Sequence, residues 1–323
     1  MKLEEIGFYT LTDHRAGQSC ATSPMWRCEM ILTGRCNFKC PYCRGLTVLA
    51  EDCTQDMPFE TAAFILGQWL KDGLKNVRFS GGEPTLYPGL IDLVKMAKAG
   101  GTEHIAISTN GSNMLDKYEA LIEAGVNDFS ISLDACCASF GDRMAGVEGC
   151  FDKVIHNIRD ISKLTYVTVG VVLTAETAHT AKDVIRFAHS LGVADIRIIS
   201  AAQFNELLSG LEGIEQEILD AHPILKYRVN NFFGGKNVRG ISETDCNRCH
   251  LVKDDSVVAG RWHFPCVIHM REGGKAIGEV GPNMREERLA WFERHNSYND
   301  PICKKNCLDV CVAYNNKAGV NHG

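Results

Sequence analysis

The stretch CEMILTGRCNFKCPYC, residues 28–43, reads as an apolar strand, CEMILT, that runs straight into Cys36, Cys40 and Cys43, spaced C-x3-C-x2-C. Thiolates are soft ligands suited to zinc or iron–sulfur clusters, and three in one short loop can wrap one face of a cluster while leaving a metal position open. Structural zinc sites close with four ligands, usually as two C-x2-C knuckles. Three cysteines with no histidine nearby therefore favour an iron–sulfur cluster.

Outward from that loop the chain alternates. Strand-like runs at 76–80 (NVRFS), 104–108 (HIAIS), 128–133 (DFSISL), 166–173 (YVTVGVVL) and 195–199 (DIRII) are separated by helical patterns near 59–71, 88–99, 115–124, 151–163 and 178–191. Met57-Pro58 opens the first helix and Gly73 closes it, while Gly100-Gly101 and Gly125 close the next two. Strands rich in Val, Ile and Phe with helices between them imply parallel βαβ units, and hence an α/β barrel or partial barrel. In such folds chemistry gathers where strands end. The unusual motifs obey that rule: the cysteines follow the first strand, SGGEP the second, STNG the third and SLDA the fourth.

TGRCNFKCPYC, then FSGGEPTL, STNG and SISLD in that order, strongly resembles the radical S-adenosylmethionine (SAM) superfamily over roughly residues 28–200. The resemblance implies a partial (β/α)6 TIM-like barrel in which Cys36, Cys40 and Cys43 hold a [4Fe-4S] cluster and SAM chelates its fourth iron. Electron transfer into SAM then yields a 5′-deoxyadenosyl radical. It assigns Gly81, Gly82, Glu83 and Pro84 to the methionine amino group and Tyr42 to the adenine. Arg143, in a DRMAG stretch followed by Phe151 and Asp152, is assigned to the SAM carboxylate, a task that suits a guanidinium fork. Ser108 and Asn110 at one strand end, and Ser132 and Asp134 at the next, offer hydroxyl, amide and carboxylate groups where a ribose could sit. Taken singly, each of these polar residues would be read as a turn or cap residue.

Past about residue 240 the alternation stops, and Cys246, Cys249, Cys266, Cys303, Cys307 and Cys311 appear in Gly-rich, hairpin-like sequence. Cys249 and Cys266 flank a run with Gly260 inside it, which resembles the SPASM and twitch extensions that carry further clusters. Six thiols exceed the four of one cluster and fall short of two, so one auxiliary [4Fe-4S] cluster with spare thiols is expected. At spacings of four, the last three cysteines would share a helix face. A zinc knuckle built on the Cys246 and Cys249 pair is the alternative. The histidines show no metal-ligand spacing; His250 and His263, beside cysteines, could support the auxiliary cluster, although ordinary packing is the simpler role. The expected organisation is an N-terminal segment (1–27), a radical SAM partial barrel (28–204), a connector (205–240) and a cysteine-rich iron–sulfur extension (241–323).

The whole composition fits this reading. With 323 residues, 45% hydrophobic and 23% charged, the chain is globular, and fifteen cysteines without a signal-peptide core argue for metal or redox chemistry in the cytoplasm. A net charge of −6 gives no basic footprint for nucleic acid, and no apolar run approaches a membrane span. An electron donor such as flavodoxin or ferredoxin is implied. Only some 27 residues precede the barrel, leaving no room for a leader-peptide domain. That tilts the substrate toward a small polar metabolite (sugar, aminoglycoside or nucleotide), with epimerisation or dehydrogenation as the outcome. Cys249, Cys136 and Cys137 are candidate hydrogen donors. A peptide-modifying enzyme, epimerising or cross-linking, is the alternative. Resemblance to the molybdenum-cofactor cyclisation enzyme is weakened by the ending NNKAGVNHG, which lacks that family's terminal diglycine. A non-catalytic iron–sulfur or zinc redox sensor would leave SGGEP, STNG and SLDA unexplained.

Overall fold

The computed structural model describes residues 14–43, 54–200 and 205–320. It resolves into two compact units, one of Met1–Arg35, Arg44–Ile105 and Arg239–Gly323, the other of Cys36–Cys43 and Ala106–Val238.

In the first unit β1 (Arg27–Thr33) pairs in parallel with β2 (Asn76–Gly81), and α1 (Phe59–Lys71) connects them. The connection is helical because Ala62, Ile65, Leu66 and Trp69 recur at helical spacing and are buried, with Pro58 at its N-cap. α2 (Leu90–Ala99) follows β2, and its end at Gly100 matches the expected glycine stop. The other neighbour of β1 is β7 (Asp255–Ala259), also parallel, from a part of the sequence more than 220 residues away. β7 turns back through Gly260 (φ 55°) and Arg261 into antiparallel β8 (Trp262–Phe264), followed by β9 (Gly278–Glu279). A two-residue hairpin needs a residue tolerant of positive φ, and Gly260 supplies it. The hairpin packs Val257, Ala259 and Phe264 with Ile31 and Met270. Four short helices complete this unit: α9 (Val267–Arg271), α10 (Met284–Arg294), α11 (Pro301–Asn306) and α12 (Asp309–Val320).

The second unit has the parallel order β6-β5-β4-β3, from β3 (His104–Thr109, residues 106–109 in this unit), β4 (Asp128–Ser132), β5 (Tyr166–Leu173) and β6 (Asp195–Ser200). Its helices are α3 (Leu115–Ala124), α4 (Ala138–Ala145), α5 (Cys150–Leu164), α6 (Ala181–Ser190), α7 (Gln216–Ala221) and α8 (Pro223–Phe233). Helical crossovers between successive strands explain the parallel order, and Tyr118 of α3 packs edge-on against Phe129 of β4, ring centroids 5.8 Å apart.

All six expected strands form within a residue of their expected bounds. α4 was not expected, because ASFGDRMA has no apolar period. The expectation that Cys303, Cys307 and Cys311 share one helix face is corrected. Cys307, with ψ 132°, ends α11, and a new helix begins at Asp309.

Candidate active site

The cysteine loop, 36–43, lies in the second unit with the ends of β3 and β4. Cys36 and Cys43 are exposed and Cys40 half-buried. Phe38 N–H donates to Cys36 Sγ (3.4 Å) and Cys43 N–H to Cys40 O (3.0 Å), so the loop's own backbone shapes the thiol array. From the end of β3, Asn110 Nδ2 donates to Asn37 Oδ1 (2.8 Å) and lies 3.9 Å from Cys36 Sγ, while Asn37 Nδ2 donates to Ser112 Oγ (2.8 Å). From beyond β4, Asp134 accepts the Tyr42 hydroxyl and, through its other oxygen, the Val172 N–H at 2.8 Å. Burial pushes the Asp134 carboxyl up to about 6 and the Cys40 thiol up to about 11. Metal binding must therefore displace the Cys40 proton.

Lys39 N–H donates to Ala145 O (2.8 Å), and a Cβ on Gly146 (φ 67°) would stand 3.1 Å from Lys39 Cβ. The glycine thus lets the end of α4 approach the cysteine loop. In the DRMAG stretch Asp142 accepts from the backbone N–H groups of Gly149 (2.7 Å) and Phe151 (2.8 Å), fixing the start of α5. Arg143 lies over the Phe140 ring and pairs with Glu176 at 3.0 Å, both side chains well exposed. Ser108 is half-buried and faces Ser130 in the β3–β4 register, whereas Ser132 is exposed. Cys136 is half-buried, and the exposed Cys137 precedes α4.

The SGGEP turn belongs to the first unit. Gly82 N–H donates to Thr33 O and Glu83 N–H to Arg35 O, each at 2.7 Å. A Cβ on Gly81 would stand 2.4 Å from Thr33 O, and one on Gly82 2.2 Å from Arg35 O, so no other residue fits this approach of two strand ends. Glu83 is buried and accepts from Thr85 N–H and Oγ1–H, and Pro84 opens a single 3-10 turn. Arg271 Nη2, 3.5 Å from Gly81 O, is a neighbour that no sequence signal indicated.

The C-terminal cysteines also lie in the first unit. Cys249, Cys266, Cys307 and Cys311 act electrostatically on one another. Burial raises Cys249 to about 12 and Cys266 to about 11; Cys307 is raised by its hydrogen bond to Cys311, which is lowered by the same bond. The buried Arg288 guanidinium donates to the carbonyls of Val252 (3.1 Å), Phe264 (2.8 Å) and Asp255, tying the segments that follow Cys249 and precede Cys266. Its charge also faces those two thiols. Cys246 stands apart, its Sγ 3.6 Å from Arg248 O and against Gly319. Cys303 sits beside His269 and Asp300, and burial and the charges of Cys266 and Cys249 raise its thiol as well, so it borders the group of four. His263 is bonded to Glu287 (2.8 Å) and His250 to Lys253 (3.3 Å).

Residues 30–188 match the family model described as the radical SAM superfamily. Among curated relatives, the chain is 28% identical over 208 residues to the probable GTP 3',8-cyclase of Metallosphaera sedula, covering 60% of this chain and 63% of that one, just under two thirds of its length. It is 26% identical over 268 residues to the GTP 3',8-cyclase of Nostoc punctiforme, covering 74% and 80%. Among solved structures, Streptococcus suis SuiB bound to S-adenosylmethionine aligns with TM-score 0.59 at 15% identity, over 87% of this chain and 65% of that chain. Native anSMEcpe with bound AdoMet aligns with TM-score 0.56 at 16% identity, over 92% and 94%. At these identities the structural likeness is one of fold, and it agrees with the partial barrel read from the sequence.

Proposed function

Because the chain belongs to the radical SAM superfamily, whose members use a [4Fe-4S] cluster and SAM, we propose that it is an enzyme that takes a hydrogen atom from a small polar metabolite, a nucleotide in the first place. One observation carries the proposal: the loop of Cys36, Cys40 and Cys43 meets the polar ends of β3 and β4 through Asn110 and Asp134. Three thiols, two of them open to solvent, fit a cluster that keeps one iron for a small ligand. When bound, the cluster and SAM supply the 5′-deoxyadenosyl radical.

The chain's own residues have these roles in the proposal. Cys36, Cys40 and Cys43 ligate the iron, and Asn110 orients the loop by bonding Asn37 beside Cys36. Asp134 fixes Tyr42 by its hydroxyl, which leaves the tyrosine ring as the surface for the adenine. Ser108 and Ser132 are assigned to the ribose and Arg143 to the SAM carboxylate, once Arg143 exchanges Glu176 for it. Gly81, Gly82, Glu83 and Pro84 keep the part their motif implies, backbone at the methionine amino group.

Cys249, Cys266, Cys307 and Cys311 are assigned to one auxiliary [4Fe-4S] cluster. Four half-buried, mutually interacting thiols number the ligands of a closed set; Cys303, which also interacts with Cys249 and Cys266, is left outside it. With Cys249 so engaged, Cys136 and Cys137 are the remaining hydrogen-donor candidates if the outcome is epimerisation. A flavodoxin or ferredoxin in the cytoplasm is the proposed electron source. No described helix is long and apolar enough to cross a membrane.

The nucleotide class is supported by the relatives named GTP 3',8-cyclase. The test is turnover with ring-deuterated nucleoside triphosphates, GTP first, followed by mass spectrometry of 5′-deoxyadenosine. Deuterium transferred into it is the expected result. Transfer from a labelled sugar or peptide, with none from any nucleotide, would overturn the substrate class.

A further inference from the structure

Three helix termini in the first unit bring together four metal-binding side chains that are scattered in the sequence. His269 lies on α9, His295 caps the end of α10, and Asp300 and Cys303 form the start of α11. Asp300 Oδ1 caps α11, accepting from the N–H groups of Ile302 and Cys303 at 2.8 Å each. Its other oxygen, Oδ2, is thereby turned toward His269 Nε2 (3.4 Å) and His295 Nε2 (3.9 Å). Cys303 Sγ lies 3.8 Å from His295 Nε2, and the donor atoms of His269, Asp300 and Cys303 all lie within 4.8 Å of one another.

The two N···O separations exceed the roughly 2.7–3.2 Å of ordinary N–H···O hydrogen bonds, while the Cys303 Sγ–His295 Nε2 contact is within hydrogen-bond reach for sulfur. A tetrahedral centre with metal–nitrogen and metal–oxygen distances of about 2.0–2.1 Å and metal–sulfur of about 2.3 Å places its ligands roughly 3.3–3.6 Å apart, so the group of His269, Asp300 and Cys303 needs a small contraction around an ion, and His295, near Asp300 and Cys303 but outside that group, a larger one. The rings are also held in place. His295 stacks on Trp291, centroids 3.8 Å apart and planes 18° from parallel. His269 is only 5% exposed, its backbone N–H donates to Cys266 Sγ, and its Nδ1 is buried without a partner. Nε2, which pairs with Asp300, is thus the ring nitrogen turned toward the space the four side chains share.

We propose that His269, His295, Asp300 and Cys303 form a mononuclear zinc site. Two imidazoles, a carboxylate and a thiolate are a borderline donor set, and four protein ligands close a tetrahedron, so the site is structural. It fastens α9 and the end of α10 to the start of α11. The proposal assigns Cys303, although its charge also reaches Cys249 and Cys266, to this site and not to the auxiliary cluster, and only in that respect does it rest on the assignment of Cys249, Cys266, Cys307 and Cys311.

The experiment is elemental analysis of the full-length protein, purified and reconstituted with iron and sulfide under anaerobic conditions, beside Asp300→Asn and His295→Gln. Asparagine preserves the helix cap, so folding, followed by circular dichroism, is retained. The expected result is about one zinc per wild-type chain, at least a tenfold lower occupancy in both variants, and unchanged iron. In cobalt-loaded protein, a thiolate-to-metal charge-transfer band should vanish in Cys303→Ser. Wild-type protein without zinc, variants that keep it, or a Cys303→Ser chain that loses about four irons would each overturn the proposal. Failure of SAM cleavage with zinc intact would instead count against the proposed function alone.

Discussion

The two cysteine groups use the same donor in opposite ways. Residues 36–43 place three thiols in eight positions on a loop, two of them exposed, with polar strand-end side chains beside them. The C-terminal group draws its thiols from positions spread over more than sixty residues, every one half-buried, with the Arg288 guanidinium facing two of them. A loop with three donors leaves room for chemistry. In the proposed assignment, four donors contributed by separate segments close a site and hold those segments together. The difference teaches that a cysteine count becomes a functional statement only once it is known how many elements supply the ligands.

The largest effect should come from exchanging a ligand in each group. Cys266→Ala is expected to lose about four irons and to lower anaerobic thermal stability sharply, because the proposed cluster would tie together segments that are distant in sequence. Cys36→Ala should lose about four irons too, with little change in Tm. Equal changes in Tm would erase the distinction between an open and a closed site.

Next in size is Arg288→Leu. It strands the buried carbonyls of Val252, Phe264 and Asp255, and is expected to cost about 3–5 kcal/mol in denaturant unfolding. A cost below about 1 kcal/mol would show that the closed region does not depend on this clamp.

A smaller effect concerns the sheet behind the open loop. Asp195 accepts from the backbone N–H groups of Ile196 and Ile224, and burial raises its carboxyl to about 7. An unfolded aspartate titrates near 4, so the folded state holds this proton more tightly. The stability it lends is complete below about pH 4 and is lost as pH rises through 7. Between pH 5 and 8 the wild type should lose on the order of 1–3 kcal/mol more than Asp195→Asn, read from urea midpoints. Parallel losses would refute the titration.

The smallest effect is expected for Asn110→Ala, which removes one hydrogen bond to the cysteine loop. Iron content should hold while the rate of SAM cleavage falls roughly fivefold, the equivalent of about 1 kcal/mol. An unchanged rate would remove Asn110 from the site.

The barrel half of the fold was legible because runs such as YVTVGVVL at β5 and the glycine stops at Gly100 and Gly125 carry local signals. The cysteine loop was legible because its ligands are neighbours in sequence. What escaped the sequence depends on distant partners: β7 beside β1, Arg271 beside Gly81, Arg288 bridging carbonyls from separate segments, and His295 and Asp300 joining His269 and Cys303. The single-helix reading of Cys303, Cys307 and Cys311 failed for a local reason. Spacing alone did not reveal that the backbone leaves the helix at Cys307.

The most direct test is reduction of the anaerobically reconstituted protein in the presence of SAM, with chromatographic assay of 5′-deoxyadenosine. The wild type should release it and Cys40→Ala should not. A cluster-loaded wild type that releases none, or a Cys40→Ala chain that releases as much, would contradict the reading of residues 36–43 as a SAM-cleaving centre.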